Sequence, residues 1–428
     1  MPLFMAQLGY STLYIGIVPL FGFITRLIGI PLVGYISDKF QIKKLMLFLC
    51  IVVSIPTILL FLAPEAPDIP CEISPTANSS IGVTTKSMPN AVFHFTSLDD
   101  NWLDVTRFQF FLILFFLRGI YELMKNLSVN LTAAATMIQN KDDKEKPGYY
   151  GCCGELGAGI SLFVVGVLAG RIFHLVCGEK LPSYAIAFLY AAAVQCLTLL
   201  ALPWMKYEYR EKQAVNYDEI KRVLQNPHYI LILFTCAHAG FCSAFQYRWE
   251  FWYIKQLGGR PLIMAVSGLL RRTVVGFWFI LSGGIIRKLG ELNVIAISQF
   301  IFAATFAALA FMENAWFVIL LDNFQAASSV LTHASIVIHM SKAGSEASSA
   351  FLQAVIVTFH VSGKEIGSFV TGTLFEKIGT GLTLCGYSVI TLIWLAVFTT
   401  YILTDKNVDG YTHVPTKDNE TGEDKGKE

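Results

Sequence analysis

Several side chains that carry charge or strong polarity stand inside stretches otherwise suited to hydrocarbon. They are Arg118, Glu122, Arg248, Glu250, Arg271, Arg272, Asp322, Gln325, His360, Lys364 and Glu365. A charge deep in an apolar phase is costly unless it is paired or hydrated, so each is a candidate contact for a substrate or a coupling ion. Arg118 and Glu122 are four apart and share a helix face. An internal salt bridge and a substrate contact are both open to them. Arg271 and Arg272 are neighbours, pointing about 100° apart on a helix, so one is expected to meet Glu365 or Asp322 while the other faces a cavity. Arginine offers a planar donor fork suited to carboxylate or phosphate, which points to an anionic or polar organic solute. His360 could carry a proton near neutral pH, or simply hydrogen-bond in the interior; His238, His333 and His339 are lesser candidates. Glu155 is expected to pair with a base at the inner surface.

The elements that hold these residues must be membrane helices. The chain of 428 residues is 54% hydrophobic and only 15% charged, against about a quarter charged in soluble domains. A bilayer needs about 20 apolar residues per helix. Spans of that kind run near 12–36, 45–63, 106–128, 151–176, 184–205, 228–254, 261–286, 292–311, 315–339, 350–375 and 380–403. The expectation is an all-α polytopic protein of about eleven spans. Alternate connections carry Lys39, Lys43, Lys44, Lys141, Lys144, Lys146, Lys206, Arg210, Lys212, Lys221, Arg222, Arg287 and Lys288, which places those connections in the cytoplasm. Segment 64–104 is then an outside loop, where Asn78 opens a glycosylation sequon. The sequons at Asn126 and Asn130 fall inside a helix and are expected unmodified. Cys71 and Cys177 both lie outside, where a disulfide could join them. The sequon loop favours the plasma membrane over internal membranes. Phe245, Tyr247, Trp249, Trp252 and Tyr253 fit an outer aromatic belt.

The chain repeats a phrase. ISLFVVGVLAGRI, from Ile160, returns as IGSFVTGTLFEKI from Ile366, 206 positions on. GYISDKFQIKK from Gly34 returns as GGIIRKLGELN from Gly283, 249 positions on. The outside loop, inserted in the first half alone, reconciles the two displacements. Two related halves follow: 1–205, then a cytoplasmic linker at 206–227, then 228–403, with a disordered tail at 404–428.

Parallel halves of six spans are the build of the major facilitator superfamily, whose substrate cavity lies between the halves at mid-bilayer. The turn Gly34, Asp38, Lys39, Lys43, Lys44 resembles that superfamily's signature, with Gln41 in place of its second glycine. Gly283, Lys288 and Gly290 match in the second half, where Arg287 replaces the acid. Such a turn is either a gating element held by acid-to-base contacts or ordinary topogenic charge. MPLFMAQLGYS, YYGCCGELGAG, WEFWYIKQLGG and SGKEIGSFVTGTLFEKIG further resemble phrases of the major facilitator domain-containing protein 6-like family, relatives of lactose permease. By that resemblance the chain starts where a first helix ends, so helix 1 is missing from an expected twelve. The family's helix 5 arginine and tryptophan are Gly154 and Leu156 here, and its proton-handling positions hold Arg272, Gln325 and Ser328.

The expected function is a secondary transporter of a small polar or anionic solute, with coupling to a proton or another ion open. The alternative is a cell-surface receptor or scaffold on a transporter fold. Lipid is the surrounding partner. No nucleophile constellation, phosphate loop, Cys/His metal spacing or basic nucleic-acid patch occurs, so no enzyme activity, cofactor, metal or nucleic-acid partner is expected.

Overall fold

In a computed structural model, residues 2–62, 105–139, 146–176, 179–205, 217–343 and 346–404 are described. The helices in chain order are α1 (Pro2–Gln7), α2 (Thr12–Lys39), α3 (Lys43–Leu59), α4 (Val105–Gln139), α5 (Lys146–Arg171), α6 (Ile186–Ala201) and α7 (Tyr217–Gln225). There follow α8 (Pro227–Ala244), α9 (Glu250–Gln256), α10 (Pro261–Leu289), α11 (Glu291–Ala310), α12 (Ala315–Ser341), α13 (Glu346–Lys377) and α14 (Thr380–Thr404). A π-helical turn, Phe245–Trp249, joins α8 to α9 in one rod. Eight of the described helices are long and apolar enough to cross a membrane by length and composition. Span 151–176 ends earlier than its apolarity suggests: α5 stops at Arg171, and Phe173–Val176 pairs with Glu179–Pro182 as a short antiparallel hairpin.

Local chemistry sets the boundaries. Pro227 and Pro261 occupy first helical positions, where a missing N–H costs nothing. The side chains of Asn226 and Asn314 cap α8 and α12 by accepting from His228 N and Trp316 N, each at 3.0 Å. Gly290, at φ +81°, ends α10 and lets α11 begin at once. Its counterpart between α2 and α3 is Gln41, also left-handed at φ 54°. The repeat displacement of 249 equates these two residues, so the turn is kept while the glycine is not. Gly34, Asp38 and Lys39 fall in the last turns of α2, and Lys43 and Lys44 open α3. Lys44 Nζ donates to Pro203 O at 3.0 Å, tying α3 to the end of α6. In the second half Gly283 and Lys288 lie within α10, and the acid-to-base contact near the turn is Lys342 Nζ to Glu291 at 2.6 Å. Asn78, Cys71, Cys177 and the residues 206–216 and 405–428 lie outside the described residues.

Helices of the two halves cross at two close points. A methyl built on Gly166 of α5 falls 2.6 Å from Ala265 Cβ of α10. One built on Gly372 of α13 falls 2.5 Å from Thr12 O and 3.2 Å from Gly16 Cα of α2. Displacement by 206 carries Gly166 to Gly372, and displacement by 249 carries Gly16 to Ala265. The two contacts are one contact, used twice. Glu376 adds a cap, accepting from Leu13 N at 2.8 Å at the start of α2. Within the second half, α8 and α13 approach backbone to backbone: methyls on Gly240 and Gly363 would collide with the carbonyls of His360 and Ala237.

Candidate functional site

The π turn carries an extra residue per turn and re-aims the side chains that follow it. Gln246, inside it, donates from Nε2 to Asp322 O at 2.9 Å and Asp322 Oδ1 at 2.8 Å. Arg271 of α10 donates to the Glu250 carboxylate and to Gln246 O, the latter at 2.8 Å. Its Nη1 lies 3.7 Å from Asp322 Oδ1, and Ser267 donates to the other Glu250 oxygen. Glu250, Asp322 and Arg271 are 1%, 2% and 5% exposed. One guanidinium thus serves two buried carboxylates, and Asp322 Oδ2 has no protein partner. With both acids ionised the cluster would carry an uncompensated negative charge in a medium of low dielectric, a costly state that a single proton removes.

A second network lies among α2, α4, the π turn and α13. Arg248 donates to both oxygens of Glu365 at 3.0 Å. Glu122 pairs with Arg118 and, at 2.6 Å, with Lys125. Arg118 and Arg248 line one small cavity with Met5, Val18, Trp249 and Ser368.

The third group joins the halves. Arg272 Nη1 pairs with Glu155 Oε2 of α5 at 2.7 Å. Its guanidinium also lies 5.4 Å from the centroid of the Tyr247 ring, and Lys364 Nζ lies 4.9 Å from that same ring. Arg271 Cζ stands farther off, at 6.0 Å. Tyr247 is 38% exposed, so three cations surround an aromatic that is partly open, Arg272 and Lys364 nearest to it.

Of the expected placements, the Arg118–Glu122 pair forms and Arg271 meets Asp322. Glu365 turns instead to Arg248, because α13 packs against the rod of α8 and α9. Glu155 pairs across the halves with Arg272 rather than with a base at the surface. The aromatic belt fails at three of its five positions: Phe245, Trp249 and Tyr253 are 1%, 0% and 3% exposed, since α12 and α13 pack against that side of their rod, whereas Tyr247 is exposed and Trp252 partly so. Trp249 Nε1 accordingly donates to Ser368 O at 3.0 Å, an interior bond. Among the small residues of helix 5, Gly159 meets α10, but Gly151, Gly154 and Gly157 meet nothing within 4 Å. Gln325 is fully buried with neither amide atom partnered. His360 stacks at a tilt on His333, 5.4 Å between centroids. Sequence reading missed Gln246, Ser267 and the place of Tyr247 among three cations. The signal for Gln246 and Tyr247 was polarity on a rod taken for surface, and for Ser267 a lone hydroxyl in an apolar run of α10.

The MFS_1 like family matches residues 1–403. The mouse protein "Major facilitator superfamily domain-containing protein 6-like" is 24% identical over 248 residues, covering 56% of this chain and 42% of the mouse protein. The chain therefore spans about two-fifths of the length of that curated relative. Among solved structures, the nucleoside transporter NupG superposes with a TM-score of 0.68 at 13% identity, covering 94% of this chain and 93% of that one. A NupG mutant with a single aspartate-to-alanine substitution gives 0.62 at 16% identity, covering 93% and 94%. At that identity the likeness is one of fold.

Proposed function

This chain belongs to the MFS_1 like family, a family of the major facilitator fold, and from that premise we propose that it moves a small anionic or polar organic solute across a membrane by alternating access. It is a multi-pass integral membrane protein, and secondary transport is what its family suggests. The observation that carries the finer reading is the convergence of Arg272 and Lys364 on Tyr247. Arg272 takes its counter-ion, Glu155, from the opposite half. When the halves separate along α5 and α10, that cation loses its partner, and a solute carboxylate offers an equivalent one. Glu155 is thus a competitor for the substrate, and a bound anion favours the separated state by differential affinity. Arg271 does not suit this role, being committed to Glu250 and Asp322.

The Glu250–Arg271–Asp322 cluster is the proposed seat of coupling to a proton. Two acids sharing one cation hold a proton when sealed and release it when water reaches them. This coupling uses Glu250 on α9 and Asp322 on α12, in place of the positions where the family resemblance puts proton handling, which here hold Arg272, Gln325 and Ser328. The solute class is narrowed by screening proteoliposomes with labelled mono- and dicarboxylates, with a labelled nucleoside as neutral comparator because NupG is a nucleoside transporter. An inward acid gradient is expected to drive carboxylate accumulation, falling at least tenfold in Arg272→Gln and Lys364→Gln. Absence of any solute-dependent flux from well-folded protein would overturn the transporter reading and favour a receptor.

A further inference from the structure

Three metal-ligating side chains outside these ion-pair networks converge among the helices of the second half. Cys236 of α8, His333 of α12 and His360 of α13 offer one thiol and two imidazoles whose donor atoms all lie within 4.8 Å of one another. Nδ1 of His333 is buried without a hydrogen-bond partner. The thiol donates to the Ile356 carbonyl at 3.5 Å. Cys236 is 1% exposed and both histidines are half-buried, so the sulfur is enclosed and the imidazoles stand on its approach. The backbone contact of Gly240 with His360 fixes α8 against α13 beside the thiol, which gives the cluster a rigid floor.

Sulfur and imidazole nitrogen together are the donor set of soft and borderline d10 ions. Charge selects among them. Binding requires the thiolate and two neutral imidazoles. A divalent ion would leave the site with a net positive charge, a monovalent ion with none. Lys364 follows His360 by one helical turn and already places a cation nearby. In the low-dielectric interior the neutral assembly is favoured. We propose that Cys236, His333 and His360 form a binding site for a soft monovalent d10 metal ion of the copper(I) class. The site goes beyond the transport reading, because its donors and its charge balance are independent of whether solute moves. No sequence spacing reveals it, since each ligand comes from a different helix.

The test uses the full chain in lipid nanodiscs, titrated with silver(I) as a redox-inert probe and with copper(I) under ascorbate, against a competing chelator. One tight equivalent is expected, weakened at least tenfold in Cys236→Ser and in His333→Gln and unchanged in Cys385→Ser. Copper K-edge absorption of the unaltered chain is expected to show one sulfur and two nitrogen neighbours, a readout that requires no variant to fold. An all-sulfur or sulfur-free shell, or affinity unchanged in both ligand variants, would overturn the site. Displacement of silver by an equal concentration of zinc would overturn its preference for a monovalent ion.

Discussion

Arg271 holds two acids in place with one charge, and that inequality has consequences at the scale of a single side chain. Removing the guanidinium in Arg271→Ala leaves Glu250 and Asp322 buried without a cation. Breaking a buried pair in this way costs about 3–5 kcal/mol, and the expected readout is a large fall in melting temperature in detergent. Asp322→Asn removes the surplus charge while keeping an amide oxygen for Gln246 Nε2. It should fold at least as well as the natural chain, lose accumulation driven by a proton gradient, and retain solute exchange at equal pH; concentrative uptake that persists would place coupling elsewhere. The depth of these residues was legible in the sequence, because an ionisable side chain inside an apolar run has only an interior to go to. Their rotation was not. Whether Glu365 answers Arg271 or Arg248 depends on how α13 faces the rod of α8 and α9, which no spacing along one helix contains.

At the scale of the element, the apolar runs predict most helix ends within a few residues. Helix α12 spans Ala315–Ser341 where apolarity predicts 315–339, and α14 spans Thr380–Thr404 where it predicts 380–403. Burial in lipid leaves backbone groups no other solution, so length alone decides. The π turn at Phe245–Trp249 and the hairpin after Arg171 were invisible, because neither changes the apolar pattern. Gln41 shows a rule broken and kept at once: the signature's glycine is gone, yet its left-handed backbone remains. An L residue there carries a steric cost of about 1–2 kcal/mol. Gln41→Gly should relieve part of it and raise thermal stability; a lower melting temperature would mean that the Gln41 side chain contributes more than its strain takes away. Conversely, Gly363→Ala forces a methyl onto Ala237 O. Overpacking of that kind costs about 1–3 kcal/mol, which would appear as reduced yield and a lower melting point.

For the whole molecule, the repeated phrase is the most informative stretch of sequence. Ile160–Ile172 and Ile366–Ile378 resemble each other because Gly166 and Gly372 perform the same close approach, against Ala265 and Gly16 respectively. The sequence shows a repeated phrase, but only the packing shows that its two glycines are where each half touches the other. The ion pair Arg272–Glu155 spans that same boundary between α5 and α10. Reversal of either charge alone should loosen the contact between the halves, and the exchange Glu155→Arg with Arg272→Glu should restore it, as read by the accessibility of a cysteine placed at Thr12. If the double exchange is no better than its parts, the pair does not hold the halves. The backbone seam between α8 and α13 bears on how such a machine would move. With carbonyls pressed against glycines along its length, neither helix can slide or bend without the other. They form a single stiff beam, with the crossing at Gly372 toward one end and the imidazole of His360 several turns away. A tilt at that crossing would carry the imidazole of His360 with it, so a label on that histidine should report relative movement of the two halves.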